Sequence, residues 1–189
     1  MTPYETALKS LNGGSSVHFE GELTMANGGV QYASGVGRDQ DFAFNVRSLP
    51  KPDDRVDGTW LLDNGRYLRQ TTTGYDVSIT PPDVVTRMLD ALNLLPRTES
   101  ELAAEVGVES INGVECQSRT AVLSHSPALL SQYKALSACV DATNARILKV
   151  AAQWQTGDAL TASFSAHGEP VEMPQSQTTD WSQQFPRRK

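Results

Sequence analysis

Between Cys139 and Pro174 the chain reads CVDATNARILKVAAQWQTGDALTASFSAHGEPVEMP, short runs of period-two alternation broken by turn residues. Val140 leads into a turn at Thr143-Asn144, after which Leu148, Val150, Ala152 and Trp154 share one face. Thr156-Gly157-Asp158 turns the chain again, and Leu160, Ala162, Phe164 and Ala166 share a face of the last strand. Such an antiparallel meander has one apolar side, and burying that side requires a second layer. What covers it, and whether a gap is left beneath the cover, decides what the protein can do.

Two segments have the pattern of a cover. At the N-terminus, Thr2-Pro3-Tyr4-Glu5 combines an N-cap, a proline at the first helical position and a capping-box glutamate. Ala7, Leu8 and Leu11 form its stripe, and Asn12-Gly13-Gly14 ends it. The stronger helix lies over 81–95, started by Thr80-Pro81-Pro82-Asp83 and closed by Pro96. There Val85, Met88, Leu89, Leu92 and Leu95 recur at helical spacing, with Arg87 and Asp90 expected to face away.

The remaining sequence is strand-like. Val17, Phe19, Gly21, Leu23 and Met25 alternate with polar residues up to Asn27-Gly28-Gly29; residues 30–37 form a second strand, and Phe42, Phe44 and Val46 mark a third. After a polar loop at 50–58, Trp60-Leu61-Leu62, Asp63-Asn64-Gly65 and Arg66-Tyr67-Leu68 spell a hairpin. Residues 70–80 read as loop. Beyond the second helix, Thr98 and Glu101 can cap a short turn, strands resume at 105–110, and Asn112-Gly113 turns into a strand over 114–124. The expected fold is α+β: one large curved antiparallel sheet, an incomplete β-barrel, wrapped around a few helices. Residues 1–174 make a single domain, and 175–189 a polar C-terminal tail.

Composition narrows the partners. The 189 residues carry a net charge of −6 and no internal basic cluster, so nucleic acid is not an expected partner. No apolar run approaches the ~20 residues of a membrane span. No signal peptide is apparent before Thr2-Pro3-Tyr4-Glu5, which fits either a cytosolic protein or an exported one lacking its leader. The two cysteines, Cys116 and Cys139, fit no zinc pattern. If 114–124 and 136–141 pair about a turn near Ser126-Pro127-Ala128, the cysteines face each other within disulfide reach; two buried free thiols are the alternative. A disulfide would place the chain in an oxidising compartment.

Four phrases carry a family resemblance: an opening helix running into SSVHFEGELT; DGTWLLDNGRYLR followed by a helix; GVESINGVECQSRTAVL; and VDATNARILKV…LTASFSAHGEPVEMP, whose last strand leaves through Gly168-Glu169-Pro170-Val171. Together they span nearly the whole chain, and in this order they resemble the LolA-like lipoprotein fold, in particular the LppX/LprG group of bacterial cell-envelope lipoproteins. The resemblance implies an extracytoplasmic, non-catalytic carrier or binding protein for a lipid or acyl chain. It also implies membrane association through a lipid anchor in the full-length protein, although the family's lipobox cysteine is absent here. The related sensor domains of envelope-stress regulators supply the alternative: a sensor or protein-interaction module with a filled core.

Burying an acyl chain yields ~0.8 kcal/mol per methylene, so modest apolar walls suffice for such a role. The candidate walls are Phe19, Leu23, Phe42, Phe44, Trp60, Leu62, Met88, Leu92, Val150, Trp154 and Phe164; for any one of them plain core is the favoured reading, and only a void would make it a wall. Arg66 and Arg69 read as plain surface residues, with contact to a lipid phosphate as the alternative. For catalysis there is no nucleophile elbow, P-loop or dinucleotide fingerprint. His18, His125 and His167 are scattered, the Asp53-Asp54 and Glu99/Glu101 pairs read as solvated charges, and no cofactor or metal is implied. The sequence sets no oligomeric state.

Overall fold

The computed structural model describes residues 1–174; the tail expected at 175–189 lies outside the described residues. α1 (Pro3–Asn12) starts with the reciprocal cap its sequence predicts. The Glu5 amide donates to the Thr2 hydroxyl at 3.2 Å, and the Thr2 amide donates to the Glu5 carboxylate at 3.1 Å. Six strands follow: β1 (Val17–Thr24), β2 (Val30–Arg38), β3 (Asp41–Leu49), β4 (Gly58–Asp63), β5 (Arg66–Thr71) and β6 (Gly74–Val77). Next come α2 (Asp83–Leu94), β7 (Leu102–Ile111), β8 (Val114–Ala121), α3 (Pro127–Gln132), β9 (Tyr133–Asp141), β10 (Arg146–Trp154) and β11 (Ala159–Ser165). Neither β6, in the stretch read as loop, nor α3 was expected.

All eleven strands form one antiparallel sheet in the order β6-β5-β4-β3-β2-β1-β11-β10-β9-β8-β7. It consists of two meanders joined where β1 pairs β11, with Phe19 opposite Phe164 and Leu23 opposite Leu160. β1 alternates strictly between buried Val17, Phe19, Gly21, Leu23 and exposed His18, Glu20, Glu22, Thr24. Its buried face is the helix-covered inner face, to which β2 contributes Gln31, Ala33, Gly35 and Gly37. Gly35 is required there: a Cβ would lie 2.0 Å from the Ala43 carbonyl oxygen and 2.7 Å from the Phe44 Cα.

α2 lies across the middle of this face, against β1, β2, β10 and β11, and α1 covers β9 and β10. Val84, Val85, Met88, Ala91 and Leu92 are the buried side of α2, while Leu89 is half-buried. Each large apolar side chain so buried contributes ~1.5–3 kcal/mol. The N-terminus of α2 departs from expectation. Pro82 is the N-cap residue and offers no side-chain acceptor. The Val84 amide instead donates to Oε1 of the buried Gln31 at 3.1 Å, so β2 caps the helix.

Arg87 does not face away; only Asp90 does. The Arg87 guanidinium sits 4.7 Å over the Trp154 ring and pairs with Asp158 at 3.1 Å. Asp158 also accepts from the Ala26 amide at 2.8 Å. Arg87 therefore ties α2 to the β10–β11 turn, and its aliphatic stem covers apolar surface. At the other end, the Tyr4 hydroxyl donates to the Pro96 carbonyl at 2.7 Å, fastening α1 to the exit of α2.

Two expectations on the last meander are corrected. A β-bulge between Ile147 and Lys149 swings Leu148 out of the apolar row, and Ile147 takes its place in the core. Leu148 joins Cys116, Cys139 and Ile111 in a separate cluster on the outer face. Cys116 and Cys139 do form a disulfide, with Cα atoms 5.5 Å apart, but they are not facing partners. Ser118 stands opposite Cys139, and Cys116 opposite Glu109 of β7, so the bond runs diagonally between β8 and β9. The reason is the connection: residues 122–132 are a 3₁₀ turn plus α3 rather than a tight turn, which offsets the register by two.

Two outcomes follow for stability. The bond spans a sequence separation of 23. A loop of that size is expected to confer ~3 kcal/mol, so replacing both cysteines by alanine is expected to lower the urea midpoint accordingly in equilibrium unfolding. Gln31→Leu leaves the buried Val84 amide without an acceptor and is expected to cost ~1–3 kcal/mol in the same measurement, whereas Gln31→Glu costs less.

Candidate functional site

Most of the inner face is filled. Aromatic rings run along it from Phe42 to Phe19 (5.7 Å, edge-to-face), Phe19 to Phe44 (6.3 Å) and Phe44 to Trp60 (6.4 Å, stacked). The Trp60 indole N–H donates to the Val56 carbonyl at 2.7 Å, so the 50–58 loop is anchored to the core. On the far side Tyr133 and Trp154 pack 5.2 Å apart. Of the candidate walls, Phe19, Leu23, Phe44, Trp60, Met88, Val150, Trp154 and Phe164 all lie in this continuous core.

Two cavities adjoin α2: one of about 250 Å³ at its start, lined by Leu23, Met25, Asp83, Arg87 and Asp158, and a cleft at its other end. The cleft, of about 360 Å³, is bounded by the end of α1 (Leu11, Asn12), the second half of α2 (Leu89, Leu92, Asn93), the β2–β3 turn (Arg38, Asp39, Gln40, Asp41) and the β4–β5 turn (Asn64, Gly65). Phe42, Leu62 and Leu92 are the three candidate wall residues that line it. Val17, Leu11 and Leu89 complete its apolar floor. Gly37 lets the Phe42 ring lie against β2, because a Cβ there would come within 2.5 Å of the ring.

The rim is polar because three turns meet at it. Asp39 and Gln40 both take positive φ (53° and 69°) in the β2–β3 turn. Asp41 accepts from the Asn64 amide at 3.1 Å, which ties the two hairpin turns together. Arg38 approaches Asp39 at 3.9 Å and reaches the carbonyl of Val171, so the segment after β11 passes beside Arg38. One polar group stands out. Asn12 Nδ2 is buried and has no hydrogen-bond partner, although the Asn12 carbonyl accepts from Gln40 Nε2 at 3.5 Å. An orphaned buried amide donor is costly unless something accepts from it. Two carboxylates, one guanidinium and four side-chain amides make the rim suited to a neutral or cationic polar group rather than an anionic one.

The other candidate groups are elsewhere. Arg66 pairs with Asp63 at 3.8 Å and Arg69 donates to the Asp57 carbonyl at 2.6 Å, so neither guanidinium lines the cleft. Asp53 is held below the usual carboxylate range by hydrogen bonds from Arg55. Glu99 is lowered chiefly by its hydrogen bond from Arg119. His18 and His125 are exposed, and His167 Nε2 hydrogen-bonds the Ile147 carbonyl at 2.8 Å. Burial pushes the His167 imidazole down. Among the described residues no group of three or more His, Cys, Asp or Glu side chains could hold a metal ion, and no helix is long and apolar enough to cross a membrane.

No protein-family model matches this sequence, and no curated protein matches it. Among solved structures the chain is similar to the MucA/MucB complex of Pseudomonas aeruginosa, with 12% identity and a TM-score of 0.48. The match covers 93% of this chain and 59% of that one, so the chain spans about three-fifths of the length of its counterpart. A LolA superfamily protein from Nitrosomonas europaea is similar at 8% identity and TM-score 0.35, covering 91% of this chain and 93% of that one. A DUF1329 family protein from Desulfovibrio piger is similar at 12% identity and TM-score 0.29, covering 90% and 93%. With TM-scores below 0.5, these likenesses carry no argument about function.

Proposed function

We propose that this chain is a non-catalytic binding or carrier protein for a small amphiphilic ligand, acting outside the cytoplasm. The observation that supports it is the cleft: an apolar floor of Leu11, Val17, Phe42, Leu62, Leu89 and Leu92 under a polar rim, beside the filled core. Its volume of about 360 Å³ lies near the low end of the ~300–1,000 Å³ typical of ligand pockets. That size suits one short apolar chain rather than a multi-chain lipid. The head group would stay at the rim, where Asp39 and Asp41 favour a cationic group. The Cys116–Cys139 disulfide supports an oxidising compartment. The LppX/LprG grouping, and a lipid anchor on the full-length protein, belong to this same reading.

A second reading, a sensor or protein-interaction module, draws support from the core, which holds ten of the eleven candidate walls, eight of them away from the cleft. Binding of a fluorescent single-chain fatty amine separates the two. The carrier reading expects saturable binding, weakened roughly tenfold by Leu89→Lys. Val77→Lys, at an exposed position outside the cleft, is expected to leave the affinity unchanged. No saturable binding, or equal affinity in all three proteins, would sink the carrier reading.

A further inference from the structure

Among the described residues, three hairpins of the sheet turn on two residues that both take positive φ. Two of them use the residues such turns favour: Asn64 and Gly65 (49° and 77°) between β4 and β5, and Asn112 and Gly113 (50° and 81°) between β7 and β8. Between β2 and β3 the same places hold Asp39 and Gln40 (53° and 69°). A left-handed glutamine meets steric resistance that glycine avoids. Backbone held this way gathers at ligand sites, where the side chain serves a purpose that a relaxed turn cannot.

Asp39 and Gln40, with Asp41 after them, line the cleft. Gln40 Nε2 donates to the Asn12 carbonyl at 3.5 Å, and its Oε1 has no hydrogen bond among the described residues. Asp39 rests on the backbone that follows α1, since a Cβ at Gly14 (φ 94°) would collide with its Oδ1. Asp41 accepts from the Asn64 amide through Oδ1, which leaves Oδ2 uncommitted. Arg38 is the only cation in that lining among the described residues. Its contact with Asp39 is long, at 3.9 Å, and both side chains are more than half exposed, so the pair holds the carboxylate weakly. The turn therefore sets two carboxylates and an amide oxygen beside an apolar floor.

We infer that the Asp39–Gln40 turn is the head-group recognition element of the cleft, and that it selects a primary ammonium carried on a single alkyl chain. The inference rests on the reading of the cleft as a ligand site. An ammonium has three donors and no acceptor, which matches carboxylate and amide oxygens. A quaternary ammonium has the same charge but nothing to donate, an alcohol has no charge, and a carboxylate meets like charge at Asp39 and Asp41. The alkyl chain would lie on Phe42, Leu62 and Leu89.

Calorimetric titration with octylamine, octyltrimethylammonium, octanol and octanoate at one salt concentration tests it. Octylamine is expected to bind roughly tenfold more tightly than octyltrimethylammonium or octanol, and octanoate most weakly. Asp41→Asn keeps an acceptor for the Asn64 amide but removes the charge, and is expected to weaken octylamine binding roughly tenfold. The paired change Asp39→Asn and Gln40→Gly gives this turn the Asn–Gly form of the other two hairpins. It is expected to erase the preference for octylamine over octanol while raising the urea midpoint, a combination that a merely structural turn does not give. Glu20→Gln, which removes an exposed charge on the outer face, is expected to keep the preference. If none of the octyl compounds binds, the cleft reading fails and the inference with it. If all bind alike, or the paired change keeps the preference or lowers the urea midpoint, the cleft remains a ligand site and the turn is not its recognition element.

Discussion

An open antiparallel sheet of eleven strands cannot stand with its inner face bare, and α2 is what covers the centre of that face. The helix is seated by its apolar side and fixed by polar contacts that come from the sheet. Gln31 of β2 supplies the acceptor that Pro82 lacks, and Arg87 reaches over Trp154 to Asp158. These contacts set where the helix ends. Its second half, Leu89 to Asn93, overhangs the β2–β3 and β4–β5 turns, and the cleft lies under that overhang. The position of the site is thus a consequence of how the helix is docked rather than of any motif within the site.

The outer face follows a different logic. Away from α1 and α2 the β7–β8 hairpin has little core beneath it, and a cross-link stands in for the missing burial. The disulfide, Leu148 and Ile111 form a small apolar cluster there, and Lys149–Glu109 brackets it. One chain therefore carries two dissimilar regions: a cleft with an apolar floor at the end of the helix layer, and a hairpin cross-linked to the sheet.

How much of this could be read from residues alone depends on the range of the interaction. Local signals were legible. The capping box at Thr2 and Glu5, the turns at Asn64-Gly65 and Asn112-Gly113, and the strict alternation of β1 are written within a few residues. Features made by distant partners were not. No pattern near Pro82 points to Gln31, and Arg87 looks like an ordinary outward arginine until Trp154 and Asp158 are placed beside it. Leu148 fits an alternating row; only the bulge in β10 takes it out. The cysteine pairing was legible but its geometry was not, because α3 lies in a connection that reads as a turn. Hydrophobicity marks walls and core alike, which is why only Phe42, Leu62 and Leu92 of the eleven candidates reach the cleft.

The central claim is that a ligand enters between sheet and helices at the end bounded by Asn12, Leu89 and the two hairpin turns. Methyl-resolved NMR of leucine and valine side chains, titrated with a single-chain fatty amine, tests it directly. The account predicts shifts confined to Leu11, Val17, Leu62, Leu89 and Leu92, with Leu136, Val150 and Leu160 unmoved in the packed centre. Saturable shifts centred on Leu136, Val150 and Leu160 would contradict it, because the ligand would then occupy space that this structure fills with side chains.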